Sequence, residues 1–148
     1  MKKISIFLLY CILVVSFLFS ESLGEKLFKQ NKPEEAIPLL ENDIESGVAS
    51  ASAYNFLGIS YYQIGNYEKS IEAFRKGLSV SGTNKKILAF NSGNSSYAKK
   101  DYKKAIEYYS LALSADPNYS PAVLNRANSY LMDTQYANAV MDYRRFLL

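Results

Sequence analysis

Tyr67-Glu68-Lys69-Ser70-Ile71-Glu72-Ala73-Phe74 is written again, with substitutions, as Tyr102-Lys103-Lys104-Ala105-Ile106-Glu107-Tyr108-Tyr109 and as Tyr136-Ala137-Asn138-Ala139-Val140-Met141-Asp142-Tyr143. The copies begin 35 and 34 residues apart. Each keeps an aromatic at its first and eighth positions, a small residue at its fourth and a β-branched aliphatic at its fifth. Self-similarity at this period marks a helical solenoid, whose unit is a helix pair unable to bury its apolar face alone. Such an architecture argues for a binding surface rather than a catalytic centre.

Working outward, Tyr54, Leu57, Gly58 and Tyr61 fall at i, i+3, i+4 and i+7, one apolar face of a helix that precedes the first copy. Gly58 costs that helix about 1 kcal/mol relative to Ala, so its presence predicts a neighbour passing too close for a side chain. Gly65-Asn66 ends this helix, and Tyr67 opens a second one with the stripe Tyr67, Ser70, Ile71, Phe74 and Leu78, which Gly82 is expected to close. The plan returns with Gly93 in the place of Gly58 and Tyr109 in that of Phe74, and Asp116-Pro117 stops the second helix of that unit. Ser120-Pro121 reads as an N-cap followed by Pro at the first helical position of a third unit. The units therefore run 51–84, 86–119 and 120–148. A worn unit over 21–50 precedes them: Leu23-Gly24 and Ala36-Ile37 lie 34 residues before Leu57-Gly58 and Ser70-Ile71, and Leu27, Leu40 and Ile44 continue its stripe. Pro38 falls inside its second helix, where it costs about 3 kcal/mol unless the helix kinks or starts late.

These residues resemble the tetratricopeptide repeat family. Tyr54-x-x-Leu57-Gly58-x-x-Tyr61 with Gly65-x-Tyr67, and the half from Tyr102 to Pro117, carry the likeness, which extends from about Leu23 to the end. The resemblance implies an all-α, right-handed solenoid of antiparallel helix pairs, here preceded by an N-terminal apolar signal or anchor helix. It also implies that the first helix of each pair lines a concave groove. By repeat phase the groove candidates are Asn55, Phe56, Ile59 and Tyr62, then Phe90, Asn91, Asn94 and Tyr97, then Asn125 and Asn128. No charge appears among them. Asn carries both a donor and an acceptor, so a row of asparagines at repeat spacing suits the backbone of an extended chain, in the manner of the asparagine ladders of some family members. The alternative is that these asparagines are solvated or bond to the next helix. The better-known clamp of a peptide's C-terminal carboxylate needs cations, and the matching places hold Asn55, Ile59, Asn91, Pro121 and Asn125 instead.

The totals set further bounds. The formal charge is +3, with 17 basic and 14 acidic side chains, and Lys2 and Lys3 account for most of the excess. A near-neutral body offers no general electrostatic case for nucleic acid. With no His and one Cys, Cys11, the chain lacks the means for an internal disulfide, a His- or Cys-based metal site, or a His-assisted nucleophile. We therefore expect neither an enzyme nor a cofactor. Met1-Lys2-Lys3 followed by the uncharged run Ile4 to Ser20 has the pattern of a bacterial-type secretory signal, so residues 1–20 are read as a signal peptide or a membrane anchor. Either route places the body outside the cytoplasm, periplasmic or secreted if cleaved and held at the inner membrane if not. Lipidation of Cys11 is a third route, disfavoured by the bulky Tyr10.

Two features stand apart from the repeats. The cluster Lys99-Lys100-Asp101-Tyr102-Lys103-Lys104, with Lys85-Lys86, reads as a solvated face or as a contact for anionic lipid or an acidic protein. The end, Tyr143-Arg144-Arg145-Phe146-Leu147-Leu148, is apolar where terminal repeats normally present a polar face. It either packs back on the helix before it or is an exposed edge for self-association or a partner. The sequence thus points to an exported adaptor for a protein or peptide. The alternative is a structural subunit of an envelope assembly held by that edge.

Overall fold

The computed structural model describes residues 21–148. Eight helices make up the described residues, arranged as four antiparallel pairs: α1 Leu23–Lys29 with α2 Pro33–Glu45, α3 Ala53–Gln63 with α4 Tyr67–Leu78, α5 Lys85–Ala98 with α6 Tyr102–Ala115, and α7 Ser120–Met132 with α8 Tyr136–Leu147. Each helix packs chiefly on its predecessor and successor, and the first helices of consecutive pairs also touch, α1 on α3, α3 on α5 and α5 on α7. This is the open stack that the repeats require. The expected signal or anchor segment, residues 1–20, lies outside the described residues. Among the described residues no helix is long and apolar enough to cross a membrane.

Close approach within each pair is bought by small residues. A Cβ on Gly58 would clash with the Phe74 ring, and one on Gly93 would lie 2.5 Å from the Tyr109 ring. Gly58 and Phe74 thus stand to α3 and α4 as Gly93 and Tyr109 stand to α5 and α6. Both rings are about 1% exposed. Full burial of a side chain of this size contributes about 2–3 kcal/mol.

The turn inside each pair is equally regular. Asn31, Gly65, Lys100 and Thr134 all have positive φ, at 58°, 77°, 67° and 60°. The amide after each reaches back five residues: Lys32 to Leu27, Asn66 to Tyr61, Asp101 to Ser96 and Gln135 to Tyr130, at 2.8–3.1 Å. This satisfies carbonyls that the helix end would leave bare. Asn66 and Asp101 then cap the following helices through their side chains, accepting from Lys69 N and Lys104 N at 3.2 Å.

Two apolar clusters form the interior. One gathers Ala36, Ile37, Leu40, Ala53, Leu57, Tyr61 and Ala73. The other gathers Ala89, Ala105, Tyr109, Ala112, Leu113, Ala122 and Val123. Between them, where α4 meets α5, the fully buried residues include Ser70, Ser92, Ser95 and Ser96. Ser70 Oγ donates to the Gly58 carbonyl at 2.7 Å and lies 2.8 Å from Ser95 Oγ.

Three local expectations are corrected. Gly82 does not close α4, which ends at Leu78 with Ser79 as its cap; Gly82 sits in the following loop at φ 81°. Thr83 Oγ1 lies there within 2.9 Å of both the Gly77 and the Val80 carbonyl, and its one hydrogen is placed to donate to either. Ser120 is not the N-cap of α7: Tyr119 holds that place and makes no side-chain cap bond, while Pro121 lies in the first turn. Nor does Pro38 delay its helix, since α2 starts at Pro33 and runs through Pro38 on an exposed face. At the far end, Phe146 and Leu147 do not fold back into the core but remain 41% and 80% exposed.

Candidate functional site

The first helices α3, α5 and α7 form one flank of the stack, and two adjoining hollows open along it. Ile59, Tyr62, Phe74, Asn91, Asn94 and Ser95 line a hollow of about 250 Å³. Tyr62 and Asn94 are shared with a second, of about 220 Å³, completed by Tyr97, Ala98, Tyr109, Asn125 and Asn128. The repeats thus bring together Ile59, Tyr62, Asn91, Asn94, Tyr97, Asn125 and Asn128 of the predicted groove. The other three line neither hollow. Asn55 lines a separate hollow of about 490 Å³ with Ser52, Asn84 and Ile87. Phe56 stacks on Phe28 with ring centroids 4.6 Å apart. Phe90 meets Tyr119 edge-on at 5.2 Å. The two phenylalanines serve packing between neighbouring pairs.

The asparagines are not simply solvated. Asn91 Nδ2 donates to Asn55 Oδ1 at 2.9 Å, and Asn125 Nδ2 donates to Asn94 Oδ1 at 3.0 Å. The hydroxyls of Tyr109 and Tyr143 donate to Asn94 Oδ1 and Asn128 Oδ1 at 2.8 and 2.7 Å. These bonds link α3 to α5 and α5 to α7, and join α5 and α7 each to its own partner. Every one of the five amides nevertheless keeps one polar atom without a partner among the described residues. Those atoms are the oxygens of Asn91 and Asn125 and the nitrogens of Asn55, Asn94 and Asn128. None of them is fully buried. The row is therefore held rigid from behind while still offering donors and acceptors outward. Burial pushes the Tyr109 phenol well above its ordinary pKa, with the Asn125 amide acting in the opposite direction. It stays a neutral donor to Asn94 at any pH of interest.

No charged side chain lines either hollow. Two cations of α5 and α7 already have partners. Lys86 pairs with Asp116 at 2.9 Å and lies over the Tyr119 ring. The hydrogen bond that Lys86 donates holds the Asp116 carboxyl below the usual carboxylate range. Arg126 grips Asp142 with two bonds of 2.7 and 2.8 Å and reaches Ser110 Oγ at 3.0 Å. In the lysine cluster, Lys99 pairs with Glu68 at 3.0 Å and Lys100 forms the turn.

Sequence reasoning missed the second-helix residues at this site, Phe74 and Tyr109. A signal was available in paired columns. Asn94 and Asn128 precede Tyr109 and Tyr143 by 15 residues, whereas Ile59 precedes Phe74 by the same interval. A hydroxyl is present where an amide can receive it, and is missing where an alkyl group stands instead.

An open stack of helix pairs presenting a preformed, uncharged groove defines a repeat scaffold rather than a closed globular domain. Residues 51–84 and 87–119 each match the tetratricopeptide repeat. The chain thus carries two tetratricopeptide repeats. Among solved structures, MamA superposes with a TM-score of 0.78 at 17% identity, over 87% of this chain and 75% of that one. The second repeat domain of Spaghetti (RPAP3), bound to the HSP90 peptide SRMEEVD, gives 0.62 at 22% identity, over 75% of this chain and 97% of that one. A heat shock protein sti1 homologue of Schizosaccharomyces pombe is 38% identical over 50 residues, which are 34% of this chain and 8% of that protein. The human protein O-mannosyl-transferase TMTC1 is 22% identical over 129 residues, 85% of this chain. The chain thus spans only 8% and 15% of the lengths of these two relatives.

Proposed function

We propose that this chain is an exported adaptor that binds an extended, uncharged segment of a protein or peptide along the flank formed by α3, α5 and α7. The observation that carries this reading is the row of asparagines, each fixed by at least one bond and each keeping a spare donor or acceptor. Preorganised groups of this kind lower the ordering entropy that opposes association. A C-terminal acidic peptide is not the expected ligand. The SRMEEVD segment bound by RPAP3 carries three acidic side chains, and this groove has no cation to meet them. Nor does the chain have the His or Cys chemistry of most hydrolytic sites, and we assign it no catalytic role or cofactor.

The test is site-specific photocrosslinking in intact cells, with the probe at Tyr62 or Tyr97 and a control probe at exposed Lys103. A discrete product from the groove positions alone is expected, and it should weaken when Asn91→Ala and Asn125→Ala are combined. Each lost bond is worth about 1 kcal/mol, so the double change should lower affinity roughly 30-fold. Equal labelling at Lys103, or no response to the double change, would count against the groove. Export rests on Lys2-Lys3 and the uncharged run Ile4 to Ser20; N-terminal sequencing of the mature protein distinguishes a removed signal from a retained anchor.

A second reading has its own support. Of 13 exposed large hydrophobic side chains among the described residues, eight belong to 131–148, including Tyr136, Val140, Met141 and Leu147. Leu147 falls in the repeat phase of Leu113, which the next helix buries to 6% exposure. Under this reading the chain is a structural subunit of an envelope assembly, covered at that edge by a partner or by a second copy.

A further inference from the structure

The first full repeat departs from the next two at one coupled pair of positions. Where those place Asn94 with Tyr109 and Asn128 with Tyr143, it places Ile59 with Phe74. The hollow of about 250 Å³ lies at this exchange, with Ile59, Tyr62 and Phe74 supplying carbon and Asn91 and Asn94 supplying amides. Asn91 Oδ1 and Asn94 Nδ2 have no hydrogen-bond partner among the described residues, so an acceptor and a donor stand beside the apolar surface. In the neighbouring hollow the column of Ile59 is occupied by Asn94 and Asn128, and both amides line it.

We propose that this hollow is a side-chain pocket for one aliphatic residue of the bound peptide, with Ile59 as the residue that sets the preference. The inference rests on the groove reading above and specifies its ligand. A charged side chain would lose its hydration there without meeting a counter-charge. A bare hydrocarbon or lipid tail would leave the Asn91 acceptor and the Asn94 donor unmet. A peptide residue answers both demands: its side chain covers Ile59 and Phe74 while its N–H and C=O lie within the repertoire of the two amides. Beyond that point the contacts are amides and tyrosines, which read backbone rather than side chain. Selectivity is therefore concentrated at one ligand position, followed by a stretch chosen only for being extended and uncharged.

The experiment pans a display library of random linear peptides on the full chain, then measures the enriched clones against two variants. Ile59→Asn combined with Phe74→Tyr installs the pair that the later repeats already use, so the new hydroxyl has an acceptor; circular dichroism melting reports whether it folds. Clones sharing one aliphatic position are expected, and the paired change should weaken them roughly tenfold or more. Ile59→Ala, which only enlarges the hollow, provides the second measurement and should shift the preference from Val toward Leu and Met. An unchanged preference in Ile59→Ala, or equal binding to the Ile59→Asn/Phe74→Tyr protein, overturns the pocket. Should such clones still weaken on Asn91→Ala/Asn125→Ala, the groove reading survives without the pocket. Clones indifferent to both paired changes bind elsewhere and remove the two readings together.

Discussion

At Asn94 a single carbonyl oxygen receives two donors, the Tyr109 hydroxyl from behind and the Asn125 amide from the next repeat. That residue is therefore as much a brace as a ligand group. Replacing it by Ile should strand the Tyr109 hydroxyl in the interior, at a cost of about 1–3 kcal/mol. Adding Tyr109→Phe removes the stranded group and reproduces the Ile59–Phe74 pair, so the double variant should regain most of the loss. Urea unfolding of the wild type, both single variants and the double variant measures the coupling. Strict additivity would show that the bond is unimportant. The asparagine column itself was legible in the sequence, because repeat spacing puts equivalent residues at one level of the stack. What could not be read was which oxygen faces a tyrosine and which faces outward, since that depends on the angle between two helices. Phe56 and Phe90 show the same limit: their phase fits the groove, yet Phe28 and Tyr119 claim them.

The helix pairs owe their shape to a turn whose third letter hardly matters. Gly65 announces it openly, but Asn31, Lys100 and Thr134 take the same left-handed conformation without a glycine. Only the period reveals them, because the backbone bond reaching back five residues enforces the geometry on whatever side chain occurs there. The penalty is real for Lys100 and larger for β-branched Thr134. Lys100→Gly and Thr134→Gly are each expected to stabilise the protein by about 1 kcal/mol, seen as a higher urea midpoint with an unchanged slope. A lower midpoint would mean that those side chains make contacts worth more than the strain. Helix ends were less legible than helix interiors. Asp116-Pro117 and Gly65-Asn66 stop their helices as read, whereas α4 stops at Leu78 because Thr83 and Ser79 satisfy its last carbonyls before Gly82 is reached.

For the molecule as a whole, the repeat period alone was enough to reveal an all-helical stack, because no unit can hide its apolar face without a neighbour. The period says nothing about what meets the last face, and there α8 leaves Val140 and Met141 at 55% and 69% exposure. The adaptor reading expects a monomer in size-exclusion chromatography with light scattering. A constitutive oligomer that Val140→Glu with Met141→Lys returns to monomer would favour the structural subunit instead. The plane of buried serines between the two apolar clusters has a consequence for any occupant of the groove. Hydroxyls can trade partners across such a plane with little change in energy, which interlocked leucines cannot do. Ser95, bonded to Ser70 below, is also part of the wall beside Asn91. A guest seated there would rest against Ser95, and so one hydrogen bond away from the layer that joins the two apolar clusters.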